Sequence, residues 1–291
     1  MFLVDVILSG LILGGIYALV AMGLSLQYGV ARIMNLAYGE FTIAGSFAAY
    51  LLFSASGLSP ILALAVAMPL SFALNWFIYR LLMTPLVRRA KSPGALEVDS
   101  ILATFGLLFV VQGIMLVVFG GSYVSYSYLA VPVDIIGSTV ALNRLLAAGI
   151  AVAIALGLTL FLMRTRIGTA VRAVSVNPAA APLVGIDTTT YAAFAFALGG
   201  ALVAGSGVLV SMFLTFNAAM GVVFTMKALI VVIMGGVGNI FGALVAGLIL
   251  GLAEALTAAF LDSGLTLAVN FALFLGILLV KPTGLFGKAA R

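Results

Sequence analysis

The sequence predicts an all-α protein, a polytopic transmembrane helical bundle of eight to nine spans. Of its 291 residues, 65% are hydrophobic and only 7% are charged, whereas soluble domains carry about 25% charged residues. A chain of this composition has too few polar side chains to cover a water-exposed surface. Its apolar residues also fall into long runs that are separated by short polar segments. Hydrocarbon must therefore be part of the solvent of this protein.

Nine apolar runs approach the roughly 20 residues with which a helix crosses about 30 Å of hydrocarbon. They lie at about 4–26, 37–56, 60–82, 101–119, 142–163, 191–213, 222–235, 239–260 and 265–281. The seventh run is short, contains Lys227 and ends in the glycine-rich segment Gly235–Asn239. A half-helix or a tilted span with a broken end is therefore an open alternative there. We expect residues 1–291 to form a single transmembrane domain.

Basic residues between the runs predict the orientation of the chain. If nine spans alternate, one side carries Arg32, Arg80, Arg88, Arg89, Lys91, Arg164, Arg166, Arg172, Lys281, Lys288 and Arg291. Asp5, Asp134 and Asp262 fall on the other side, where Arg144 is the basic exception. Because short cytoplasmic loops are enriched in Lys and Arg, we expect the N-terminus outside and the C-terminus in the cytoplasm.

Several classes of protein are excluded by residues that the chain lacks. It has no His and no Cys, which removes catalytic triads, His-bearing zinc sites and thiolate nucleophiles. The nearest string to a P-loop, Gly284–Lys288, has the wrong spacing and no hydroxyl after the lysine. We therefore expect neither an enzyme nor a metal or cofactor site. The membrane already explains the net charge of +5, so no nucleic-acid partner is expected.

Glycines recur at the spacing of close helix contacts. The pairs are Gly10 with Gly14, Gly238 with Gly242 and Gly247 with Gly251. In lipid, this spacing lets two helix backbones approach each other closely. We interpret these motifs as packing elements of the bundle.

One segment between the runs, Arg164 to about Tyr191, is too long for a simple tether. Breaks at Asn177–Pro178 and at Gly185 predict two short helical stretches that form a compact hairpin on the cytoplasmic face. Its basic, small-residue surface suits a groove on another protein. An interfacial amphipathic segment that is held by anionic lipid is the open alternative.

Within this segment, the spacing Ala180-Ala181-x-x-x-Gly185 is similar to the EAA loop of bacterial ABC importer permeases. Four stretches in the same order resemble the H-type subunit of the branched-chain amino acid permease family. They are Met34–Phe41, Arg166–Asp187, Lys227–Ala243 and Lys281–Gly287. Ala179 stands where the EAA loop usually has a glutamate. The resemblance therefore does not imply a charge contact with the ATPase at that position. The ATPase-coupling residues that it implies are Arg166, Gly168, Arg172, Asn177, Ala180, Ala181 and Gly185.

The resemblance implies a permease subunit of an importer in the bacterial cytoplasmic membrane. Its partners would be a related M-type permease, two cytoplasmic ATP-binding subunits that hydrolyse ATP, and a periplasmic solute-binding protein. The expected solutes are leucine, isoleucine and valine. Other relatives move urea, short amides or aromatic acids, which stay open as alternatives.

Ionisable groups within the apolar runs are costly, at about 2.5–3.5 kcal/mol each, and should face a partner or the bundle interior. Glu40, in the first turn of the second run, either pairs with Arg32 or gates the passage. Lys227 and Glu254 lie at similar predicted depth and should form a pair. The open alternatives are that Lys227 snorkels to the outer surface or holds the solute carboxylate. The pathway or gate candidates are Asn35, Tyr38, Glu40, Lys227, Asn239 and Glu254.

Two rival functions remain open at this point. An ion-coupled secondary transporter would use Glu40 and Glu254 as proton sites, and a passive channel would conduct small neutral solutes. Neither has a use for a docking hairpin, so the geometry of that segment discriminates between them and the importer.

Overall fold

The computed structural model describes residues 2–135 and 138–287. The helices are α1 Phe2–Ala31, α2 Tyr38–Ser56, α3 Pro60–Ile78, α4 Thr84–Arg89, α5 Pro93–Phe119, α6 Leu142–Arg164, α7 Arg166–Val176, α8 Thr188–Ser211, α9 Gly221–Gly235, α10 Ile240–Phe260 and α11 Thr266–Val280. A π-helical turn at Tyr79–Met83 joins α3 to α4, and 3-10 turns occupy Ala181–Val184 and Ser263–Leu265. The prediction of an all-α polytopic membrane protein is confirmed.

Seven helical segments in the described ranges are long and apolar enough to cross a bilayer. They are α1, α3 with α4, α5, α6, α8, α10 and the segment Ser263–Val280. Of the other apolar runs, the seventh forms the 15-residue helix α9 and the second forms α2. The count of eight to nine spans stays a prediction.

Several helix starts follow directly from capping residues in the sequence. Ser59, Ser92, Thr165, Asp187 and Asn239 each accept a hydrogen bond from a backbone N–H in the first turn of the next helix. Short polar side chains do this well because they replace the intrahelical partner that the first N–H groups lack. These residues therefore fix where α3, α5, α7, α8 and α10 begin.

A small β-hairpin that was not predicted lies between α5 and α6. Strands β1 Pro132–Ile135 and β2 Ser138–Ala141 pair antiparallel, with Pro132 opposite Ala141. The segment contains several β-branched residues, which favour extended backbone. Because it lies outside the apolar runs, it does not change the fold class.

The buried centre of the bundle is α8, which packs against α1, α2 and α3. Ala193, Phe196 and Val203 on this helix are fully buried. By contrast, α5 and α11 leave most of their apolar side chains exposed, as expected where lipid is the neighbour.

Two of the three glycine motifs, Gly10 with Gly14 and Gly247 with Gly251, form the contact between α1 and α10, as expected of packing elements, whereas Gly242 packs against Gly235 of α9. A Cβ atom at Gly14 would lie 2.8 Å from Leu248 Cα, and one at Gly10 would lie 2.9 Å from Leu252 Cα. On the partner helix, a Cβ at Gly251 would overlap the backbone of Gly14. Only glycine allows the two backbones to approach this closely.

We expect Gly251→Ala to lower the thermal stability of the purified chain, because overpacking a tight contact costs about 1–3 kcal/mol. The matched control is Gly149→Ala on α6, where a Cβ meets nothing within 4 Å and alanine favours the helix by up to about 1 kcal/mol. Unfolding monitored by tryptophan fluorescence in detergent measures both. Equal stability of the two variants would contradict the close contact.

The second helix starts inside the bundle rather than at its edge. The Tyr38 hydroxyl donates to the carbonyl of Gly199 at 2.6 Å, and Gly199 lies about 17 Å along α8 at 1.5 Å per residue. The preceding segment, residues 32–37, runs beside α5, where the hydroxyls of Ser100 and Thr104 accept from the backbone N–H groups of Met34 and Leu36. The chain therefore re-enters the bundle before α2 begins.

The start of α9 lies against the start of α2. The Gly39 N–H donates to the Thr225 hydroxyl at 2.8 Å, and that hydroxyl donates to the Leu36 carbonyl at 3.1 Å. Two helix N-termini thus meet within the bundle. This geometry fits the half-helix alternative for the seventh run.

Most of the basic segments gather at one end of the bundle, which we name the basic end. Arg32, Lys91, Pro178 and Thr188 line one cavity of about 400 Å³ there, and Arg80 contacts the Thr190 hydroxyl at 3.2 Å. The last described residues also lie at this end, because the N–H groups of Leu285 and Phe286 donate to the final carbonyls of α9. Lys288 and Arg291 lie outside the described residues.

Candidate functional site

The hairpin predicted between α6 and α8 is present at the basic end. It consists of α7, a turn and the 3-10 turn Ala181–Val184. A Cβ at Gly168 would lie 2.5 Å from Leu162 Cα and from its carbonyl oxygen, so only glycine lets α7 fold back this closely on α6. The Thr165 hydroxyl accepts from the Gly168 N–H at 3.0 Å and closes this joint.

The turn after α7 is built by residues that the sequence analysis assigned to coupling. Asn177 Oδ1 accepts from the N–H groups of Ala179 and Ala180, at 3.2 Å and 3.0 Å. Ala181 is buried, and Gly185 adopts a left-handed φ of 77°, which favours glycine. These residues shape the hairpin, whereas Arg166 and Arg172 are exposed on α7.

The tip of the hairpin carries exposed apolar side chains that the sequence analysis missed. Val176, Leu183 and Val184 are 83%, 86% and 73% exposed. They lie outside the spanning helices. A signal was available in the sequence, since three branched apolar residues in a loop of small and polar residues need a partner surface.

The hairpin is tied to the bundle at its far end by Asp187. Its carboxylate caps α8 through the Thr189 N–H at 3.1 Å and accepts a short hydrogen bond from the Thr190 hydroxyl. The Thr190 hydrogen bond lowers the pKa of the Asp187 carboxyl below its usual value. The cap is therefore an anion at neutral pH, at a helix N-terminus that favours negative charge.

Lys227 and Glu254 form the predicted pair. Lys227 Nζ lies 2.7 Å from Oε1 and 2.9 Å from Oε2 of Glu254, and the side chains are 13% and 15% exposed. Lys227 Nζ also donates to the Tyr17 hydroxyl at 2.6 Å and lies 4.5 Å from the centre of the Tyr17 ring. Tyr17 was not predicted, and it extends the pair into a link between α1, α9 and α10.

Glu40 is fully buried, and the predicted alternative of a pair with Arg32 is wrong. Its two carboxylate oxygens have no hydrogen-bond partner within the described ranges. Arg32 instead lies over the Tyr28 ring, 5.9 Å from its centre. The re-entry of the chain explains this, because α2 begins deep in the bundle while Arg32 stays at the basic end. The neighbour of the Glu40 carboxyl is Gly221, at the start of α9.

The remaining candidates do not converge on one site. Asn35 is buried and accepts from the Ala37 N–H at 3.0 Å, beside Tyr38 and Glu40. Asn239 caps α10 through the Gly242 N–H at 2.9 Å and donates to the Phe286 carbonyl at 3.0 Å, so it braces the basic end. The described part of the chain has no cluster of three or more His, Cys, Asp or Glu side chains that could hold a metal ion.

These features define a class: a polytopic helical membrane protein with a folded hairpin at its basic end and buried charged groups within the bundle. Residues 6–280 match the family described as the branched-chain amino acid transport system permease component, and the chain belongs to this family. The resemblance that was stated from the sequence motifs is confirmed.

Similar proteins cover almost the whole chain. The permease protein LivH of a high-affinity branched-chain amino acid transport system from Salmonella typhimurium is 32% identical, over 96% of this chain and 94% of LivH. The corresponding protein BraD of Pseudomonas aeruginosa is 28% identical, over 97% of this chain and 95% of BraD. A solved structure, PsaBC from Streptococcus pneumoniae in complex with Fab, matches 98% of this chain and 94% of its own, with 13% identity and a TM-score of 0.54. That likeness concerns the fold alone.

Proposed function

We propose that this chain is the membrane-spanning permease subunit of an ABC importer for branched-chain or other hydrophobic amino acids. The solute would be delivered by a periplasmic binding protein, and two separate cytoplasmic subunits would hydrolyse ATP. The family and the named activity of LivH and BraD support this solute class. The chain would lie in the bacterial cytoplasmic membrane as one domain over residues 1–291, with its N-terminus outside and the basic end in the cytoplasm.

The observation that carries the proposal is the exposed apolar tip of the hairpin. An importer permease needs a surface outside the membrane that receives movement from an ATPase, and Val176, Leu183 and Val184 offer one. Exposed apolar patches of this kind mark contacts with proteins or membranes, and a partner groove is the contact that the proposal assigns to the tip. The second membrane subunit would be a related chain of the same family rather than a copy.

The mechanism follows from how the hairpin is attached. Gly168 holds α7 against α6, and Asp187 caps the start of α8. When the ATP-binding subunits close, the tip moves with them and shifts α6 and α8 together. Because α8 packs against α1, α2 and α3, the movement reaches the buried start of α2. The bundle thereby switches between two orientations, each favoured by a different nucleotide state.

The rival functions fit the geometry less well. Of the two proton sites that a secondary transporter would use, Glu254 is bound by Lys227, whereas Glu40 is buried without a partner in the described ranges; such a transporter has no use for an apolar tip. A passive channel has no use for an apolar tip. Urea, short amides or aromatic acids remain alternative solutes of the same importer architecture, since selectivity would rest largely with the binding protein.

Val184→Asp should uncouple ATP hydrolysis from uptake, because a charge at the tip opposes burial in a partner groove. Burying an unpaired carboxylate costs several kcal/mol, so we expect at least a tenfold loss of uptake in proteoliposomes that contain all subunits. The matched control is Val131→Asp, which is 55% exposed in the loop before β1. Gly185 is less suitable, since its left-handed backbone would be strained by any side chain.

Full uptake by Val184→Asp, or an equal loss in Val131→Asp, would contradict coupling through the tip.

The solute itself is identified by purifying the chain with its partners and measuring which compound the co-assembling binding protein retains. Retention of urea or an amide in place of an amino acid would keep the importer and change the solute.

A further inference from the structure

Two adjoining cavities form a groove along the face of α1, α6 and α10. Their volumes are about 580 Å³ and 450 Å³. Both are lined by Met22, Thr159 and Leu244, so they adjoin each other at these residues. The larger cavity lies at the basic end, and the smaller one extends towards the opposite end.

Small residues keep this groove open. Gly15 on α1 and Ala148, Ala151 and Ala155 on α6 line the smaller cavity. A Cβ at Gly15 would meet no atom within 4 Å, in contrast to Gly14, which is pressed against α10. One side of α1 is therefore packed tightly while the adjacent side leaves a channel next to α6.

The two ends of the groove differ in chemistry. Apart from Thr159, the smaller cavity is lined by apolar or glycine residues. The larger cavity adds Arg172 and Ser175 of α7 at its mouth, together with Ser25. The Ser25 hydroxyl is fully buried and has no hydrogen-bond partner in the described ranges. The groove is therefore amphipathic along its length.

Arg172 supplies a cation that is not neutralised within the described chain. Its guanidinium makes a marginal contact of 3.5 Å with the Thr169 hydroxyl, whereas the ion pair of the described residues joins Lys227 and Glu254. The Ser175 hydroxyl donates to the Arg172 carbonyl at 2.9 Å, so the guanidinium of Arg172 is the group that suits a phosphate. The groove thus pairs a phosphate-binding end with an apolar channel.

The groove is long enough to hold a lipid chain. From Gly29 to Leu8, both of which line it, α1 rises about 32 Å at 1.5 Å per residue, close to the whole hydrocarbon thickness of about 30 Å. The stretch from Gly29 to Gly15 accounts for about 21 Å of this rise. An acyl chain that enters at the basic end therefore runs through the larger cavity into the smaller one, whereas a branched-chain amino acid would fill only a small part of the groove.

We infer that this groove binds one anionic phospholipid, with its phosphate at Arg172 and an acyl chain between α1 and α6. The bound lipid holds α7 against α1 and α10, and so fixes the base of the hairpin. Basic pockets at the cytoplasmic ends of membrane helices are suited to such headgroups. This inference stands independently of the transported solute.

The test uses the full-length chain, delipidated in detergent, with lipid binding followed by native mass spectrometry. We expect one bound phosphatidylglycerol, and weaker binding of phosphatidylcholine with the same acyl chains. Arg172→Gln should lower the apparent affinity for phosphatidylglycerol about tenfold, while the matched variant Arg89→Gln, outside the groove, should not change it. Gly15→Leu, which places a side chain in the open channel, should lower binding of both lipids.

Three outcomes would overturn the inference. Equal affinity for the two lipids would remove the role of the headgroup charge. Equal effects of Arg172→Gln and Arg89→Gln would show that the lipid binds through general surface charge and not through Arg172. Unchanged binding in Gly15→Leu would show that no acyl chain reaches the smaller cavity, and inorganic phosphate binding as tightly as the lipid would show that the acyl chain contributes nothing. Thermal unfolding of each variant confirms that the tested protein is folded.

Discussion

Lys227→Met is expected to lower the stability of the chain by several kcal/mol. The substitution leaves the Glu254 carboxylate without its cation between α1, α9 and α10. Breaking a buried ion pair by removing one partner costs about 3–5 kcal/mol, because the remaining charge is desolvated and unpaired. The slight exposure of both side chains places the expected loss at the lower end of this range. Thermal unfolding in detergent and the yield of folded protein measure it.

The double variant Lys227→Met with Glu254→Gln should recover part of this loss, because it removes the orphaned charge as well. Tyr17→Phe is the control for the hydroxyl contact; it removes one hydrogen bond and should cost about 1–2 kcal/mol. A Lys227→Met protein as stable as the wild type would show that the pair contributes nothing. A double variant no more stable than the worse single variant would show that the two charges act separately.

This pair illustrates what the sequence allows one to predict. Lys227 and Glu254 lie at similar distances from the ends of two consecutive apolar runs, so a rise of 1.5 Å per residue places them at similar depth. The third member, Tyr17, could not be identified in this way. A tyrosine in an apolar helix matches the hydrophobic pattern, and its contact with Lys227 depends on the rotation of α1.

The re-entry of the chain before α2 also escapes sequence analysis, for a physical reason. Residues 32–37 contain polar groups and lie between apolar runs, which is typical of an aqueous loop. They enter the bundle because Ser100 and Thr104 satisfy their backbone groups. These partners lie on α5, far along the chain. The hydrophobic periodicity of one segment does not indicate a contact with such a distant segment. The hairpin was predictable because its breaks at Asn177–Pro178 and Gly185 are local.

The buried start of α2 leads to the second large effect, at Glu40. The carboxyl lies in the first turn of α2 and against Gly221, the first residue of α9. Each helix N-terminus carries the equivalent of about half a positive charge. Both therefore favour an acidic or neutral polar side chain here and oppose a cation. The position has no ionic partner in the described ranges, so Glu40→Gln, with nearly the same shape, should leave the chain folded.

Glu40→Lys should prevent the chain from folding stably, because it places a cation between two positive helix ends in a buried site. An unpaired charge within the hydrocarbon costs about 2.5–3.5 kcal/mol on insertion scales, and the two helix ends add to this cost. The matched control is Glu97→Lys in α5, which is partly exposed near the basic end; it loses the hydrogen bond from the Tyr28 hydroxyl but should still be tolerated much better. Monodisperse protein yield after detergent extraction compares the variants. If Glu40→Lys were recovered as well as Glu97→Lys, the two helix ends could not meet at this carboxyl.

The gate role of Glu40 is tested by Glu40→Gln. This variant should fold normally and yet lower uptake of the solute. Full uptake by this variant would show that Glu40 is a structural residue only.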